Sequence, residues 1–329
     1  MKKILGLGNA LTDILLQVNN EDIQHLGLSK GSMNHITFEQ CVSIQQQFSS
    51  TRKSMIAGGS AANTINAIAA MGGDATFIGK IGPDEIGEFF KADTLRNGTH
   101  PYFLRSELLS GCCLVLITPD GERTFCTYLG ASADVRPDDL SLGMFQGFDI
   151  FHIEGYLVQD HQLIEHACKL AKQAGCKVSM DLAAFNVINE NKEFITRLVR
   201  EYVDIVFANE DESLAYSNLD PEAALDVFAR ECEIAVVKIG KRGSMIKVGD
   251  QKFLVPAICT NCVDSTGAGD YYAAGFLYGL ATGRSYQKCG QIATTTAGRV
   301  CEVVGAKLSE EAWTEIRGLI ALIAEQERC

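Results

Sequence analysis

The sequence lacks any run of about 18 consecutive apolar residues, the length that a transmembrane helix needs. It is also short of positive charge, since 29 lysines and arginines face 41 aspartates and glutamates, a formal net charge of −12. An acidic balance of this size disfavours general binding to nucleic acid or to anionic lipid. We therefore expect no membrane and no nucleic acid as partners. A small anionic ligand stays open, because it needs only a local positive field.

Proline is scarce as well, with six among 329 residues, and no stretch rich in proline, glycine and serine divides the chain. The composition, 47% hydrophobic and 21% charged, is typical of a globular protein rather than a disordered one. The length fits about two domains, or one large α/β domain with an insertion. A chain of this size buries roughly three-quarters of its extended surface, so it can form a substantial core.

The N-terminus, MKKILGLGNALTDILLQV, places two lysines before an apolar stretch. Asn9 and Asp13 interrupt that stretch, and no cleavage site of small residues follows it. We therefore interpret it as a first strand rather than as a secretion signal.

Twelve cysteines are scattered through the chain, and those such as Cys113 and Cys168 lie in apolar contexts, where a free thiol behaves as a small hydrophobic group. Cys259 and Cys262 form a single C-x-x-C without a second pair at zinc spacing. This pattern favours a reduced protein of the cytoplasm, with no metal or redox function at that pair.

From about residue 148 the sequence alternates between short apolar runs and segments with helical spacing. The predicted strands are FDIFHI, KVSMDL, DIVFAN and EIAVVKIG, and the predicted helices cover 162–174, 192–202 and 221–230. Such alternation predicts parallel strands joined by right-handed helical crossovers. Continuous apolar runs also indicate strands that are buried on both faces. The expected fold class is therefore α/β.

The first part of the chain has a different pattern. The runs GCCLVLIT and RTFCTYLG flank PDGE at 119–122, and an Asp-Gly turn between two such runs is a strong hairpin signal. The run TDILLQV also has the pattern of a strand. We expect a small β element, built from about 12–40 and 101–130, that projects from the main sheet.

The segment VDSTGAGDYYAAGFLYGLATG, residues 263–283, carries the strongest chemical signal. Gly267, Ala268 and Gly269 are small, so their backbone amides can turn toward one point where an apolar helix begins. Asp270 follows at the same turn. A carboxylate there could be a simple helix cap. Beside an anion cradle it could instead take a hydroxyl proton during phosphoryl transfer.

A second segment, AGGSAANTINAIAAMGG at 57–73, places Gly58 and Gly59 before a helix that Gly72 ends. A buried helix with glycine ends explains most of it. Asn63 is less easily explained, because it is polar within an apolar helix. It could hydrogen-bond vicinal hydroxyls while the two glycines let a sugar ring approach the backbone.

Together, GGSAAN and the later DSTGAGD resemble the two signatures of the phosphofructokinase B, or ribokinase-like, family. The resemblance extends along nearly the whole chain and implies one domain over 1–329. It also implies a ribokinase-like three-layer α/β/α sandwich with a mostly parallel central sheet and a small β lid. Members of the family are ATP-dependent kinases that phosphorylate a primary alcohol of a sugar or nucleoside.

The resemblance implies roles for individual residues on the acceptor side. Asp270 matches the catalytic base, and the amides of Gly267, Ala268 and Gly269 match the anion hole. The substrate contacts that it implies are Asn9, Asp13, Gly58, Gly59, Asn63, Glu154 and Tyr156.

On the nucleotide side, Asn209 and Glu212 match an N-x-x-E element that organises Mg²⁺ through water, although NEDE alone could be an acidic helix turn. The other ATP contacts that the resemblance implies are Lys238, Gly240, Gly243 and Thr266, together with Gly267 and Gly269. Asp264 and the VGA around Gly305 match a monovalent-cation site, such as one for K⁺, of part of the family.

The acceptor is less defined by the sequence. GNALTDI, GGSAANT and CTYLGA resemble the adenosine-kinase-like branch, and Tyr156 could stack on a purine or be an ordinary aromatic residue at a sheet end. Glu154 instead resembles a sugar-binding glutamate and favours a free sugar of the ribose, fructose or ketodeoxygluconate type. Plausible lid-facing residues, which the sequence cannot orient, are Met33, Phe38, Cys113, Phe125 and Tyr128.

The sequence thus predicts in-line transfer from ATP, without a phosphoenzyme, by a monomer or homodimer. A nicotinamide-dependent oxidoreductase is disfavoured, because GLGNAL has Leu11 where the dinucleotide fingerprint needs its third glycine. A catalytically silent sugar or nucleoside sensor is the other alternative, although Asp270 and the adjacent glycines are all present.

Overall fold

The computed structural model describes residues 1–50 and 54–325. Its strands are β1 (Lys3–Leu7), β2 (Leu11–Gln17), β3 (Met33–His35), β4 (Ser54–Gly58), β5 (Asp74–Ile81), β6 (His100–Arg105), β7 (Gly111–Ile117), β8 (Arg123–Tyr128), β9 (Ile150–Glu154), β10 (Lys177–Asp181), β11 (Val203–Ala208), β12 (Ile234–Lys238), β13 (Ser244–Val248) and β14 (Gln251–Val255).

Its helices are α1 (Asn20–His25), α2 (Phe38–Gln47), α3 (Ser60–Ala70), α4 (Glu85–Arg96), α5 (His161–Gln173), α6 (Phe185–Tyr202), α7 (Glu210–Ser217), α8 (Pro221–Glu231), α9 (Ala268–Ala281), α10 (Tyr286–Val300) and α11 (Glu310–Glu325). No helix within the described ranges combines the length and the apolar character that crossing a membrane requires.

A nine-stranded sheet, counted over the described residues, forms the centre of the molecule in the order β14-β13-β12-β11-β10-β9-β1-β5-β6. The strands from β12 to β6 in that order pair in parallel, and only the β12–β13 and β13–β14 pairs are antiparallel. The prediction of a mostly parallel sheet from the alternating pattern is confirmed.

Helices cover both faces of this sheet. Successive residues of a strand point to opposite faces, so Val206 joins the core under α5–α8 while Phe207 joins the core under α3 and α9–α11. Both side chains are fully buried. Two helical layers around one sheet confirm the predicted three-layer α/β/α sandwich.

A second sheet has five strands within the part of the chain that the structure describes, in the order β3-β8-β7-β2-β4. It contains the predicted hairpin, β7 and β8, but two segments differ from the expected ranges. Residues 100–105 form β6, which pairs in parallel with β5 in the large sheet because α4 carries the chain back as a crossover. The edge strand β4 at 54–58 pairs antiparallel with β2 and lies outside the expected ranges.

The helix predicted over 192–202 begins earlier, at Phe185, and bends at Asn191, whose φ of −124° is not helical. The Asn191 side chain donates to the Val187 carbonyl at 3.1 Å and contacts His161 at 3.0 Å, which holds the bend.

Four neighbouring parallel strands end in polar residues at the same edge of the large sheet. Glu154, Asp181 and Lys238 are the last residues of β9, β10 and β12, and Asn209 directly follows β11. The carboxyl edge of a parallel sheet is where α/β proteins place ligands.

Candidate active site

A cavity of about 990 Å³ opens at this edge, between the large and the small sheet. The residues predicted for a site that line it are Asn9, Asp13, Gly59, Asn63, Glu154, Tyr156, Asn209, Glu212, Lys238, Thr266, Gly267, Gly269 and Asp270. The volume is large enough for a nucleotide and a second small molecule together.

Asp270 lies in the first turn of α9, at the wall of the cavity. Gly267 caps this helix with φ of 77°, a left-handed conformation that favours glycine. Among the described residues, the backbone N–H groups of Gly267, Gly269 and Asp270 have no hydrogen-bond acceptor. Donors at a helix N-terminus that lack a partner form an anion cradle.

The Ala268 amide differs from the prediction. Its N–H donates to the Ser265 carbonyl at 3.1 Å, which closes the turn before α9, and Ala268 does not line the cavity. The cradle therefore consists of the flanking amides, and Ala268 has a structural role in the turn.

The Asp270 carboxylate is oriented by two side chains of α3. Ser60 Oγ donates to Oδ1 at 2.7 Å and Asn63 Nδ2 donates to Oδ2 at 2.9 Å. Burial raises the pKa of Asp270 to about 7, although these two hydrogen bonds oppose the shift. A carboxyl group with a pKa near neutral pH can take up a proton during turnover. Asn63, predicted as a substrate contact, thus has a partner within the protein.

Asp13 lies on β2, on the side of the cavity formed by the small sheet. Burial raises its pKa to about 7, and the charge of Arg123 partly offsets that shift. Gly58 lies against it, since a Cβ at Gly58 would be 2.9 Å from Asp13 Oδ2. At Gly59, with φ of 95°, a Cβ would overlap the Asn9 carbonyl oxygen. Both glycines let β2 and the start of α3 approach each other.

Glu154 is 1% exposed, and both of its carboxylate oxygens accept hydrogen bonds from the protein. Oε1 accepts from Asn9 Nδ2 at 2.6 Å and from Asn9 N at 3.1 Å, and Oε2 accepts from Ala61 N at 2.8 Å. Burial raises its pKa despite these bonds. Glu154 therefore joins β1 to α3 beneath the cavity.

The aromatic and lid residues fall into two groups. Tyr156 is 40% exposed at the cavity wall, where Met33, Cys113 and Phe125 of the small sheet also lie. Phe38 and Tyr128 do not line the cavity. Their rings pack against each other with centroids 5.7 Å apart, and Tyr128 packs on the core of the small sheet.

Lys238 and Asp181 form an ion pair of 2.7 Å in the cavity wall, and their side chains are 14% and 7% exposed. A Cβ at Gly269 would be 3.2 Å from Lys238 Nζ, so the ammonium group lies against the anion cradle. The interactions with Asp181 and Glu212 raise the pKa of Lys238 even though its burial opposes this. A positive charge at this point can neutralise a phosphate.

Asn209 and Glu212 cap α7 reciprocally. Asn209 N donates to Glu212 Oε2 at 2.8 Å, and Glu212 N donates to Asn209 Oδ1 at 2.9 Å. Burial raises the pKa of Glu212 to about 7, and Lys238 partly offsets that shift. The two residues thus form a helix cap and also line the cavity.

Three predicted residues of the nucleotide side lie outside the cavity wall. Gly240 and Gly243 form the turn between β12 and β13, and a Cβ at Gly243 would overlap the Val255 carbonyl oxygen. Asp264 lies in the loop before α9 and forms an ion pair with Arg123.

Mg²⁺ prefers oxygen ligands, keeps several waters and is usually bound through one or two carboxylates together with phosphate. Glu212 and Asp181 both line the cavity, so the donor set fits an ion held by phosphates, waters and these carboxylates. Within the described ranges, no three His, Cys, Asp or Glu side chains converge on a site that could hold a metal by themselves.

Sequence reasoning missed Asp181, Ser60 and Arg123. Asp181 could have been found, because it ends a predicted strand as Glu154 does, and ends of parallel strands share one edge. Ser60 lies within GGSAAN, where the interpretation of the sequence considered the adjacent glycines instead. Arg123 follows the hairpin turn, and nothing near it in the sequence indicates its partner.

Comparisons with known proteins identify the family of the chain. Residues 28–313 match the family described as pfkB family carbohydrate kinase. The adenosine kinase of Sinorhizobium meliloti is similar in structure, with a TM-score of 0.85 and 32% identity over 97% of this chain and 99% of that one.

Two relatives found by sequence differ in their named substrates. The aminoimidazole riboside kinase of Salmonella typhimurium is 28% identical over 267 residues, 73% of this chain and 82% of the relative. The probable fructokinase-4 of Arabidopsis thaliana is 28% identical over 270 residues, 74% of this chain and 83% of the relative. The chain therefore belongs to the pfkB family of carbohydrate kinases, has their ribokinase-like fold, and is a sugar or nucleoside kinase that transfers a phosphoryl group to an alcohol.

Proposed function

We propose that this chain transfers the γ-phosphoryl group of ATP to a primary hydroxyl of a ribonucleoside similar to adenosine. The single observation that supports the reaction best is the position of Asp270. Its carboxylate lies at the N-terminus of α9, beside backbone amides without partners, in the wall of a cavity of about 990 Å³. A base and an anion cradle at one point are what phosphoryl transfer to an alcohol requires.

In this mechanism the acceptor hydroxyl lies at Asp270, which removes its proton as the bond to phosphorus forms. The amides of Gly267 and Gly269 and the ammonium group of Lys238 neutralise charge on the transferred group. Glu212 and Asn209 would hold Mg²⁺ through water, and the bound ion would supply positive charge to neutralise the phosphates. The transfer is in line and direct, so no phosphoenzyme forms. The small sheet acts as a lid that excludes water as a competing acceptor.

Glu154 is the first observation that supports a nucleoside rather than a free sugar as the acceptor. Both of its oxygens already accept hydrogen bonds from Asn9 and Ala61, which leaves it poorly placed to bind the hydroxyls of a free sugar. Apolar side chains such as Phe125 and Met33, with Tyr156, instead offer surfaces for a planar base. Two of the relatives named above are nucleoside kinases, an adenosine kinase and an aminoimidazole riboside kinase.

A sugar kinase is the second candidate, because the fructokinase relative is as similar in sequence as the riboside kinase. Asp13 and Asn63 can bind hydroxyls of a free sugar as well as those of a ribose. A third possibility, a binding protein without turnover, is disfavoured by the complete set of Asp270, Gly267 and Gly269 at the cavity.

We further propose a single kinase domain over 1–329, of which 51–53 and 326–329 lie outside the described residues, acting in the cytoplasm as a monomer or homodimer. Family membership implies ATP as the phosphate donor.

The test is an ATP-consumption screen with adenosine, inosine, ribose, fructose and ketodeoxygluconate at equal concentrations. Turnover of adenosine with at least about tenfold preference over each sugar supports the proposal. Preferential turnover of fructose or another sugar would replace the nucleoside by the second candidate. Binding of these compounds without any ATP consumption would show a silent binding protein.

A further inference from the structure

The ion pair between Arg123 and Asp264 joins the small sheet to the loop before α9. Arg123 begins β8 of the small sheet, and Asp264 lies three residues before Gly267 of the anion cradle. Arg123 Nη1 lies 2.6 Å from Asp264 Oδ2, and the two side chains are only 16% and 14% exposed. A paired arginine and carboxylate this short and this well shielded from water form a strong charge-assisted contact.

Asp264 also organises the loops around it. Its Oδ1 accepts from Thr266 N at 3.0 Å and from Thr266 Oγ1 at 2.8 Å. Its Oδ2 accepts from Gly305 N at 2.7 Å. Burial would raise the pKa of Asp264, but these hydrogen bonds and the charge of Arg123 together hold it below its usual value. Asp264 is thus an ionised group that fixes the loop before the anion cradle.

Family resemblance places a monovalent metal ion at Asp264 and the segment around Gly305. Such an ion needs several oxygen ligands with lone pairs directed at it. Here Oδ1 faces the two donors of Thr266, and Oδ2 faces the amide of Gly305 and the guanidinium group of Arg123. A metal ion at this carboxylate would have to displace Arg123, so these residues do not fit it.

We propose that the Arg123 guanidinium group is itself the cation of this site, so that ATP binding and turnover require no monovalent metal ion. This inference rests on the proposed function, because it concerns the loop that holds the phosphates. The guanidinium group comes from the lid, so lid and phosphate loop are joined by the same contact. Its charge also acts on Asp13 of the acceptor side, where it partly offsets the rise in pKa that burial causes.

The first test uses the whole protein and Mg²⁺-ATP. Calorimetry measures the dissociation constant of ATP in KCl, NaCl and tetramethylammonium chloride at equal ionic strength. We expect the three values to agree within about twofold. A dissociation constant at least about tenfold lower in KCl than in tetramethylammonium chloride would overturn the proposal.

The second test removes the guanidinium group by Arg123→Ala. The matched control is Lys30→Ala, which removes a positive charge from the turn before β3, where Lys30 pairs with Asp120 and Glu122. In tetramethylammonium chloride we expect Arg123→Ala to bind ATP at least about tenfold more weakly than the control, as removal of a charged hydrogen bond predicts. Equal affinity in both variants would contradict the proposal.

The third test asks whether Arg123 supports ATP binding through its positive charge or only by linking the lid to the loop before α9. If the guanidinium group replaces a metal ion, KCl should restore at least part of the ATP affinity of Arg123→Ala, because K⁺ can enter the vacated place. If KCl does not change the ATP affinity of Arg123→Ala at all, the guanidinium group does not replace a metal ion and the proposal is overturned. Thermal unfolding of both variants shows whether they are folded, and Arg123→Lys, which keeps the charge, provides a variant less disruptive to folding.

These outcomes are distinct from failure of the proposed function. Absence of ATP binding by the unmodified protein in every salt would refute the kinase mechanism. ATP binding that depends strongly on K⁺ would leave the kinase intact and refute only the role of Arg123.

Discussion

At the scale of single residues, Asp270 is the side chain on which the proposed chemistry depends. Replacing it by asparagine removes the base but keeps a side chain of the same size beside Ser60 and Asn63. We expect Asp270→Asn to lower kcat by about 10²–10⁴, equivalent to about 3–5 kcal/mol of transition-state free energy. ATP affinity should change little. Steady-state kinetics and calorimetry measure the two quantities.

The matched control is Asp250→Asn, which makes the same chemical change at an exposed residue between β13 and β14. It should leave kcat unchanged. If Asp270→Asn retained more than about a tenth of the activity, Asp270 could not be the base.

The pH dependence of turnover follows from the same carboxylate. A base must be ionised to accept a proton, and the pKa of Asp270 is raised to about 7. We therefore expect kcat/KM to fall as the pH decreases from 8 to 6. Because Asp13 also has a pKa of about 7, the residual activity of Asp270→Asn should follow a shallower profile rather than a flat one. A profile unchanged by this substitution would contradict the assignment.

Asp181 and Lys238 allow a prediction of stability. Removing one partner of a buried ion pair leaves a charge without compensation, which typically costs about 3–5 kcal/mol. We expect Asp181→Asn to lower the free energy of unfolding by about 3 kcal/mol and to raise the KM for ATP, because it releases Lys238 from the anion cradle. Urea unfolding measures the first effect.

The control for this pair is the exposed one between Lys177 and Glu233, with side chains 44% and 45% exposed. Glu233→Gln should cost less than about 1 kcal/mol, as is usual for surface ion pairs. The double change Asp181→Leu and Lys238→Met should recover much of the lost stability but not the ATP affinity. Equal costs at the buried and the exposed pair would show that Asp181 does not compensate Lys238.

At the scale of elements, sequence patterns predict what depends on neighbours in the chain. The strand that ends before Asn209, the hairpin around 119–122 and the helix that begins after Gly267 all have local signals, and the structure contains each of them. The family resemblance, the fold class and the alcohol phosphotransferase activity that these motifs implied are confirmed. The predicted roles of the individual site residues stay predictions.

What the sequence could not supply depends on contacts between distant segments. The strand β4 is short, ends at Gly58 directly before Gly59, and forms only because β2 pairs with it. Asp181 forms an ion pair with Lys238, 57 residues later in the chain, and Arg123 forms one with Asp264 in the loop before α9. Whether a given amide is a free donor, as at Gly267, or is already bonded, as at Ala268, also depends on coordinates.

The junction of β4 and α3 gives a prediction at this scale. Gly59 has φ of 95° and a Cβ there would be only 2.2 Å from the Asn9 carbonyl oxygen, whereas Gly72 has φ of 93° and nothing within 4 Å of its Cβ position. Gly72→Ala should cost about 1 kcal/mol from backbone strain alone. Gly59→Ala adds a steric clash and should cost about 2 kcal/mol more, measured by chemical denaturation. Equal costs would show that the close approach is not required.

At the scale of the whole molecule, three carboxyl groups with pKa values raised to about 7 meet in one cavity: Asp13, Glu212 and Asp270. Each is ionised in the unfolded chain above about pH 4 but keeps its proton in the folded protein until about pH 7. The folded state therefore binds more protons over this interval, so stability falls as the pH rises from about 4 to 7 and then levels off. The cavity that holds the proposed base thus lowers the stability of the fold at neutral pH.

Because an ionised Asp270 would serve turnover but lowers stability, we predict that one substitution changes stability and activity in opposite directions. At pH 8, Asp270→Asn should raise the free energy of unfolding by about 1–2 kcal/mol. This value is smaller than the free energy that corresponds to the full pKa shift, because the cavity is open to solvent. Near pH 5 the wild-type carboxyl is protonated in the folded protein, so the difference should largely disappear. Urea unfolding of both proteins at several pH values measures it, with Asp250→Asn as the control. A stability difference independent of pH would mean that Asp270 is not held in its neutral form by the fold, and the pH dependence of turnover would then need another origin.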